Sequence, residues 1–279
     1  MVPILLPLAV ATVLGGCTTF GGGSTTVTSD ETTMVASPAN IASLTDVIQR
    51  NPNDAQAYNV RGSVLGRAGR NQEALTDFNK AIGLDPNYAQ AYANRGLVHR
   101  QMKKLDLALA DYNRAIEIDA SYQPAYLGRG VVYRQQGQAM LAFEDFNKAI
   151  SLRPDNAQAY YNRGLLYQAQ KQHKFAIDDF TTAIGLPPAQ AEPHVSRGLS
   201  HIANNDFQAA AGDLDNAVQV EPDNLQAWTS RGLAYERLGD KEKAAGSYAK
   251  ALSISQNYEP ARTGFARVGG RRGQQYQTF

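Results

Sequence analysis

Between residues 55 and 258, apolar residues recur three and four positions apart, which is the spacing of one face of an α-helix. Polar residues fill most of the positions between them. Near the middle of the chain the pattern predicts one helix over Gln123–Gln136 and a second over Ala139–Leu152. Gly137 provides a stop for the first helix, and Pro154 closes the second. The predicted unit is an amphipathic helix pair joined by a short turn.

This helix pair occurs six times with a constant period of 34 residues, without insertion or deletion between Ala55 and Tyr258. A fixed period of this size is typical of a solenoid, in which each unit buries its apolar face against its neighbours. The predicted repeats are residues 55–88, 89–122, 123–156, 157–190, 191–224 and 225–258. We therefore predict an all-α superhelical solenoid of six helix-turn-helix repeats.

Small residues recur inside these helices: glycine at position 8 of every repeat, and alanine at positions 20 and 27. Glycine within a helix costs about 1 kcal/mol relative to alanine, so its recurrence indicates close approach of the two helices of a repeat. Together with aromatic residues at most of positions 4, 11 and 24, and proline at most of positions 32, the pattern resembles the tetratricopeptide repeat. This resemblance implies a right-handed superhelix whose first helices, helices A, line a concave groove, with helices B behind them.

Shorter helical patterns flank the repeats. Residues 37–54 predict an N-terminal capping helix with Leu44 and Val47 turned toward the first repeat, and residues 259–268 predict a C-terminal capping helix with Phe265 turned inward. Such caps cover apolar faces that the terminal repeats would otherwise expose. Residues 269–279 have little apolar content, which predicts a disordered tail.

The N-terminus carries a targeting signal. Ile4–Leu14 is apolar apart from one threonine, but it is shorter than the roughly 20 residues that cross a hydrocarbon core, and its length fits a secretory signal peptide. The sequence LGGC at residues 14–17 resembles the bacterial lipobox, in which the cysteine receives a diacylglycerol and the preceding peptide is removed. The resemblance implies a signal peptide over residues 1–16 and lipidation of Cys17. The alternative is an ordinary signal peptide with an incidental thiol.

Residues 17–36 are rich in glycine, serine and threonine, which predicts a flexible tether of about 25 Å behind the acylated cysteine. The net charge of +1 provides no large imbalance for binding nucleic acid. The only cysteine excludes an intramolecular disulfide and a cysteine-based metal cluster.

No catalytic spacing of serine, histidine and acidic residues is recognisable, and no glycine-rich phosphate loop. His194 and His201 are seven residues apart and could share a helix face, but both replace core aromatic residues of the repeat, and a metal would need at least a third ligand. We therefore predict no enzyme activity, no metal and no cofactor.

Arginine occupies position 7 of every repeat, and aspartate occupies position 23 of the first five. One interpretation is a basic ladder for an anionic ligand. The other, which we favour, pairs each arginine with the aspartate of its own repeat, since semi-buried charges are normally paired. The predicted pairs are Arg61–Asp77, Arg95–Asp111, Arg129–Asp145, Arg163–Asp179 and Arg197–Asp213. In the sixth repeat Ser247 replaces the aspartate, which leaves Arg231 without that partner.

Several positions of helices A are expected to line the groove. Their aliphatic residues, asparagines and two arginines suit an extended peptide, through apolar contacts, hydrogen bonds to the peptide backbone and charge steering. The alternative is that the aliphatic residues at position 9 pack between repeats and their polar neighbours are merely solvated. The predicted groove residues are Asn94, Leu97, Arg100, Leu127, Val131, Arg134, Tyr161, Asn162, Leu165, Leu199 and Leu233.

Together these features predict a non-enzymatic scaffold in the bacterial envelope, anchored by lipid to the outer membrane, facing the periplasm and binding other proteins or peptides. The architecture is similar to repeat lipoproteins of the NlpI kind, which bring envelope proteases and peptidoglycan hydrolases together. Alternatives are an assembly lipoprotein for pili, secretins or the outer membrane, a self-associating structural protein, and a binding module without an anchor.

Overall fold

The computed structural model describes residues 37–188, 190–271 and 276, and these contain 14 helices and no strand. Helix α1 (Pro38–Arg50) precedes six pairs of helices A and B, and α14 (Glu259–Arg267) follows them. The six pairs are α2 (Ala55–Arg67) and α3 (Asn71–Leu84), α4 (Ala89–Gln101) and α5 (Leu105–Ile118), α6 (Gln123–Gln135) and α7 (Ala139–Leu152), α8 (Ala157–Ala169) and α9 (His173–Gly185), α10 (Ala191–Ala203) and α11 (Phe207–Val220), and α12 (Leu225–Leu238) and α13 (Lys241–Ile254). The predicted all-α superhelix of six helix pairs is confirmed.

The predicted signal peptide, Cys17 and the tether lie outside the described residues. Most of the predicted tail also lies outside them, but the ring of Tyr276 packs edge-on against Phe265, with 5.7 Å between the ring centroids. Among the helices that the structure describes, none has the length and apolar content needed to cross a membrane.

Every helix A ends one or two residues before position 15 of its repeat, where the residue adopts a positive φ. Such a left-handed residue turns the chain and lets the next amide bond back to the last turn of the helix. The residues are Gly69, Lys103, Gly137, Lys171, Asn205 and Gly239, with φ between 58° and 84°. The turn geometry therefore repeats even where the residue is not glycine.

The glycine at position 8 lets helix A approach the ring or leucine at position 24 of its own helix B. A Cβ atom built on Gly164 would lie 2.6 Å from the Phe180 ring, and one built on Gly198 would lie 2.9 Å from Leu214. No real Cβ approaches another carbon so closely. The alanines at positions 20 and 27 are buried along the same contact. The tight seam predicted from the small residues is thus present in the structure.

Neighbouring repeats stack in a regular way, because each helix B contacts the helix A that follows it and each helix A contacts the next helix A. Since consecutive helices A touch, they lie on the inner side of the curve of the solenoid, and their exposed residues form one continuous surface.

The N-terminal capping helix packs on α2, with a face that agrees with the prediction only at the half-buried Leu44. Ile48 is the buried residue of α1, whereas Val47 is exposed. Because α1 has no helix A of its own to pack against within the described part of the chain, Val47 has no partner helix there to cover it. At the other end, α14 buries Ala261 and Phe265, as the pattern of the C-terminal cap predicts.

Candidate functional site

The structure brings each of the five predicted arginine–aspartate pairs together across helices A and B. In every pair, Nη2 of the arginine donates to Oδ1 at 2.5–2.8 Å and Nε donates to Oδ2 at 2.8–2.9 Å. This two-pronged geometry is the strongest that a guanidinium and a carboxylate form. All five aspartates are buried, so these arginines are occupied within the protein and do not form a free basic ladder.

Each of these arginines also reaches back to the preceding repeat. Nη1 donates to a side-chain oxygen 16 residues earlier in the chain, at position 25 of the previous helix B or at the matching point of α1. The acceptors are Thr45, Asn79, Asn113, Asn147 and Thr181. One side chain therefore joins the two helices of its own repeat and ties that repeat to its neighbour.

Arg231 of the sixth repeat has a carboxylate partner that the position-23 pattern does not predict. Its Nε donates to Oδ1 of Asp215 at 2.6 Å, and its Nη1 donates to Oγ of Ser247 at 2.7 Å. Asp215 occupies position 25 of the fifth repeat, where the earlier repeats carry asparagine or threonine. In the first five repeats the carboxylate partner of the arginine belongs to its own repeat, whereas the partner of Arg231 belongs to the preceding repeat. Arg231 thus lacks the position-23 aspartate, as the sequence indicates, and pairs with a carboxylate of the preceding repeat instead.

Aromatic rings at positions 4 and 11 complete the surroundings of the position-7 arginine. The guanidinium carbon of Arg129 lies 5.6 Å from the centre of the Tyr126 ring and 5.8 Å from that of Tyr133. That of Arg231 lies 5.3 Å from Trp228 and 4.9 Å from Tyr235. At such distances the ring faces attract a cation. These contacts explain why an aromatic residue precedes the arginine by three positions in most repeats.

A cavity of about 550 Å³ opens on the inner surface between α4, α6 and α8, and we call it the central groove. Nine of the eleven predicted groove residues line it. They are Asn94, Leu97, Arg100, Leu127, Val131, Arg134, Tyr161, Asn162 and Leu165. A smaller cavity between α2 and α4 shares Asn94 and Leu97 with it, so the groove continues toward the N-terminal repeat.

Leu199 and Leu233 do not line the central groove. Leu199 packs against the buried cluster of the C-terminal repeats, and Leu233 lines a separate cavity of about 380 Å³ beside α14. Because the solenoid curves, Leu233 in the sixth repeat faces a different part of the surface, while Leu199 in the fifth repeat is used in packing. The groove predicted as one stripe is therefore divided in two.

The aliphatic residues of the central groove both pack between repeats and line the groove, the two alternatives that the sequence leaves open. Leu127 and Val131 pack against the buried cluster that contains Phe146 and Leu166, and the same two residues line the cavity. Leu97 is more exposed, at 38% of its surface. The groove therefore has an apolar floor that is partly supported by inter-repeat packing.

The two asparagines of the groove use their amide hydrogens within the protein. Nδ2 of Asn94 donates to Oδ1 of Asn59 at 2.9 Å and to Oγ of Ser63 at 3.2 Å. Nδ2 of Asn162 donates to the backbone oxygen of Gln158 at 2.7 Å, and Asn162 is buried. Hydrogen bonds from these amides to a bound peptide would require the internal bonds to open.

Arg100 and Arg134 are held differently from the arginines at position 7. The Nε atom of each is buried without a hydrogen-bond partner, and within the described residues neither side chain has a carboxylate within 4.0 Å. Desolvation lowers the pKa of Arg134, and the nearby charge of Arg100 lowers it further. No acidic residue lines the central groove, so these two charges are uncompensated there.

Tyr112 of α5 also lines the groove, although it belongs to a helix B. Its ring fills the space above Gly128, where an added Cβ would lie 2.4 Å from the ring. Gly128 stands at position 6, which carries a side chain in every other repeat. The absence of a side chain at position 6 of the third repeat was the only sequence feature that could have indicated that an aromatic residue of a helix B reaches the groove.

His194 and His201 lie on either side of the Asp213 carboxylate, at 3.7 Å and 3.8 Å. Burial favours a higher pKa for Asp213, but the adjacent His194 ring and the hydrogen bonds and positive charge of Arg197 outweigh it, so the pKa is lowered. Among the residues that the structure describes, no group of histidine, cysteine and acidic side chains could hold a metal ion.

Comparison with known families identifies the repeats. Models of the tetratricopeptide repeat match most of the region between residues 62 and 260, and none of the matching models describes a catalytic domain. The matched segments are 62–103, 89–122, 130–171, 157–186 and 195–260. No curated protein matches the sequence at a significant level.

Solved structures share the fold at low sequence identity. The chain is similar to YrrB, described as a TPR protein with an unusual peptide-binding site, with 26% identity and a TM-score of 0.56 over 67% of this chain and 96% of that one. It is similar to PilF of Pseudomonas aeruginosa, with 19% identity and a TM-score of 0.70 over 76% and 97%. It also matches the APC/C Cut9–Hcn1 assembly, with 18% identity and a TM-score of 0.71, and spans 46% of that chain.

Proposed function

Since this chain is a tetratricopeptide repeat protein, we propose that it is a non-enzymatic scaffold that binds an extended peptide segment of a partner protein in the central groove. Tetratricopeptide repeats generally mediate protein–protein interaction. The observation that carries the proposal is the position of the groove, where three consecutive helices A present aliphatic residues, Tyr161 and two arginines without a carboxylate partner around one cavity. A contiguous apolar surface with a polar rim is the usual anatomy of a protein interface.

The peptide-binding site in the description of YrrB supports this proposal, because the chain shares 26% identity with that protein. The size of the cavity also suits a few side chains of a peptide, since ligand sites commonly measure about 300–1,000 Å³. Anchor residues would occupy the aliphatic floor, and the surrounding helices would remain rigid.

We expect a double substitution, Val131→Asp with Leu165→Asp, to remove the partner proteins that the wild-type chain binds. Two carboxylates on the apolar floor would have to be desolvated in the complex, which costs more than the remaining contacts provide. The measurement is crosslinking mass spectrometry in the native envelope, comparing partners attached to each form. The matched control is Leu107→Asp with Leu141→Asp, which changes two exposed leucines of helices B. An unchanged set of partners in the groove variant, with its helical content intact, would contradict the proposal.

We further propose that the scaffold is held in the bacterial envelope by a lipid at Cys17, at the outer membrane and facing the periplasm. The LGGC motif after a short apolar run supports this location, and the following residues 18–36 have the composition of a tether. Partners of the NlpI kind, such as envelope proteases or peptidoglycan hydrolases, would then be within reach of the groove.

The lipid anchor predicts that metabolic labelling with radioactive palmitate marks the wild-type chain and not the Cys17→Ala variant. The thiol is the atom to which the diacylglycerol is attached, and the sequence contains no other cysteine. Equal labelling of the two forms would refute the anchor without affecting the groove.

A further inference from the structure

Within the described residues, the two arginines of the central groove have no carboxylate partner, and the Nε atom of each has no acceptor. Arg100 and Arg134 occupy position 12 of α4 and α6. In the fourth repeat, position 12 is Gln168, whose amide donates to Oγ of Ser200 at 2.9 Å. In the sixth it is Glu236, which accepts a hydrogen bond from Nε of Arg267 at 2.8 Å. Position 12 can therefore be satisfied within the solenoid. In the second and third repeats the Nε atom of the arginine has no acceptor, and the internal hydrogen bond of the Arg100 side chain is with Tyr112, which carries no charge.

Partial burial makes these free donors costly for the unbound protein. A guanidinium that loses water without gaining a hydrogen-bond acceptor is unfavourable, and two like charges near each other add to the cost. A carboxylate between the two side chains would remove both penalties, because it accepts two parallel hydrogen bonds from a guanidinium and neutralises the charge. The chain supplies no such carboxylate among the lining residues of the groove.

The surroundings of the arginines favour a peptide over a small free anion. Leu97, Val131 and Leu165 line the same cavity, and a small inorganic anion makes no favourable contacts with aliphatic side chains. The groove also continues past Arg100 toward the cavity near Ser63, and it extends on the other side to Tyr161 of α8. A bound chain can thus pass the arginines in both directions, which favours an acidic side chain within the peptide over a terminal carboxylate.

We propose that Arg100 and Arg134 form a recognition site for an aspartate or glutamate side chain within the bound peptide, flanked by apolar residues that occupy the aliphatic floor. This inference rests on the proposed peptide-binding function and specifies its ligand. It places the specificity of the groove at position 12 of two adjacent helices A.

The test selects ligands from a library of random dodecapeptides displayed at the N-terminus of a phage coat protein, so that no peptide has a free C-terminal carboxylate. We expect the wild-type chain to enrich peptides with acidic and apolar residues. A selected peptide is then synthesised with an amidated C-terminus, together with a version in which glutamine or asparagine replaces each acidic residue. The amide version should bind about 30-fold more weakly, which is the effect of losing a buried charge pair of about 2 kcal/mol.

The protein side of the test uses the double substitution Arg100→Gln with Arg134→Gln. We expect a loss of about 30-fold or more for the acidic peptide and no remaining preference over its amide version. The matched control is Arg114→Gln with Arg153→Gln, which removes the same net charge from exposed side chains and should leave the affinity within about twofold.

A thermal melt separates recognition from a structural role. Arg129 and Arg134 lie on the same helix, but only Arg129 is paired with a carboxylate. We expect Arg134→Gln to leave the melting temperature unchanged or raised, and Arg129→Gln to lower it. A lowered melting temperature for Arg134→Gln would indicate a structural role and overturn the inference.

The binding outcomes also distinguish the two proposals. If selected peptides need the groove, as shown by their loss on Val131→Asp, but bind equally well with and without acidic residues, the inference is overturned and the proposed function stands. If no selected peptide depends on Val131, both are overturned.

Discussion

Replacing Asp215 by alanine is expected to lower the free energy of unfolding by about 3–5 kcal/mol, because it removes the carboxylate partner of a buried arginine. The side chain of Arg231 is only 4% exposed, whereas that of Asp215 is 35% exposed, so the charge left behind is the buried one. Ser247 and the rings of Trp228 and Tyr235 would still contact the guanidinium, but none of them carries a negative charge. Denaturant unfolding followed by circular dichroism measures the loss.

A second substitution should rescue this variant. In the first five repeats the arginine pairs with an aspartate at position 23, and in the sixth repeat that position is Ser247. Adding Ser247→Asp to Asp215→Ala places a carboxylate where the other repeats have theirs, so we expect most of the stability to return. Asp223→Ala is the control, since Asp223 is exposed and its 3.4 Å pair with Lys250 is worth about 0–1 kcal/mol. Failure of the rescue, with native helical content, would show that the two positions are not equivalent.

Replacing Asp145 by alanine is the second large effect, with an expected cost of about 3 kcal/mol, at the low end of the range for breaking a buried pair. Arg129 would lose two hydrogen bonds, to Oδ1 at 2.8 Å and to Oδ2 at 2.9 Å. Its side chain is 20% exposed and keeps its bond to Asn113, which limits the loss. Because repeat arrays unfold in parts, hydrogen exchange of α6 and α7 should show the effect locally.

The pair itself is expected to contribute far less than its disruption costs. Burial raises the pKa of Asp145 in spite of the hydrogen bonds and charge of Arg129, whereas the same hydrogen bonds raise the pKa of Arg129. Desolvation of the carboxylate therefore cancels part of the attraction. Replacing both partners with apolar residues, Arg129→Met with Asp145→Leu, should therefore recover much of the stability lost in Asp145→Ala. Glu144→Ala, on the exposed face of the same helix, is the control and should change stability by less than about 0.5 kcal/mol. A double variant as unstable as Asp145→Ala would contradict this account.

The fold was predictable because the same sequence pattern occurs in every repeat. Six copies of the same apolar spacing leave little ambiguity about helices, and the helix bounds predicted for the third repeat differ from α6 and α7 by one residue. The N-terminal cap was less predictable, since it occurs once and its buried residue depends on how α1 lies on α2. The sequence pattern indicated Val47, and the structure buries Ile48.

The candidate site was predictable in part. Nine of the eleven residues expected in the groove line one cavity, because adjacent helices A present the same positions side by side. Leu199 and Leu233 lie elsewhere, since curvature accumulates over several repeats. Tyr112 was missed because it belongs to a helix B, and it reaches the groove only through the space left by Gly128.

The sequence by itself determined the properties that depend on one 34-residue unit: the helix pair, its glycine seam and the turn that joins the helices. These contacts span few residues and are encoded six times. Only the tertiary structure decided which side chains meet across repeats, such as Arg231 with Asp215, and which buried donor atoms remain without an acceptor, such as Nε of Arg100 and of Arg134. Those outcomes depend on the stacking angle between neighbouring units, which the repeat pattern does not specify.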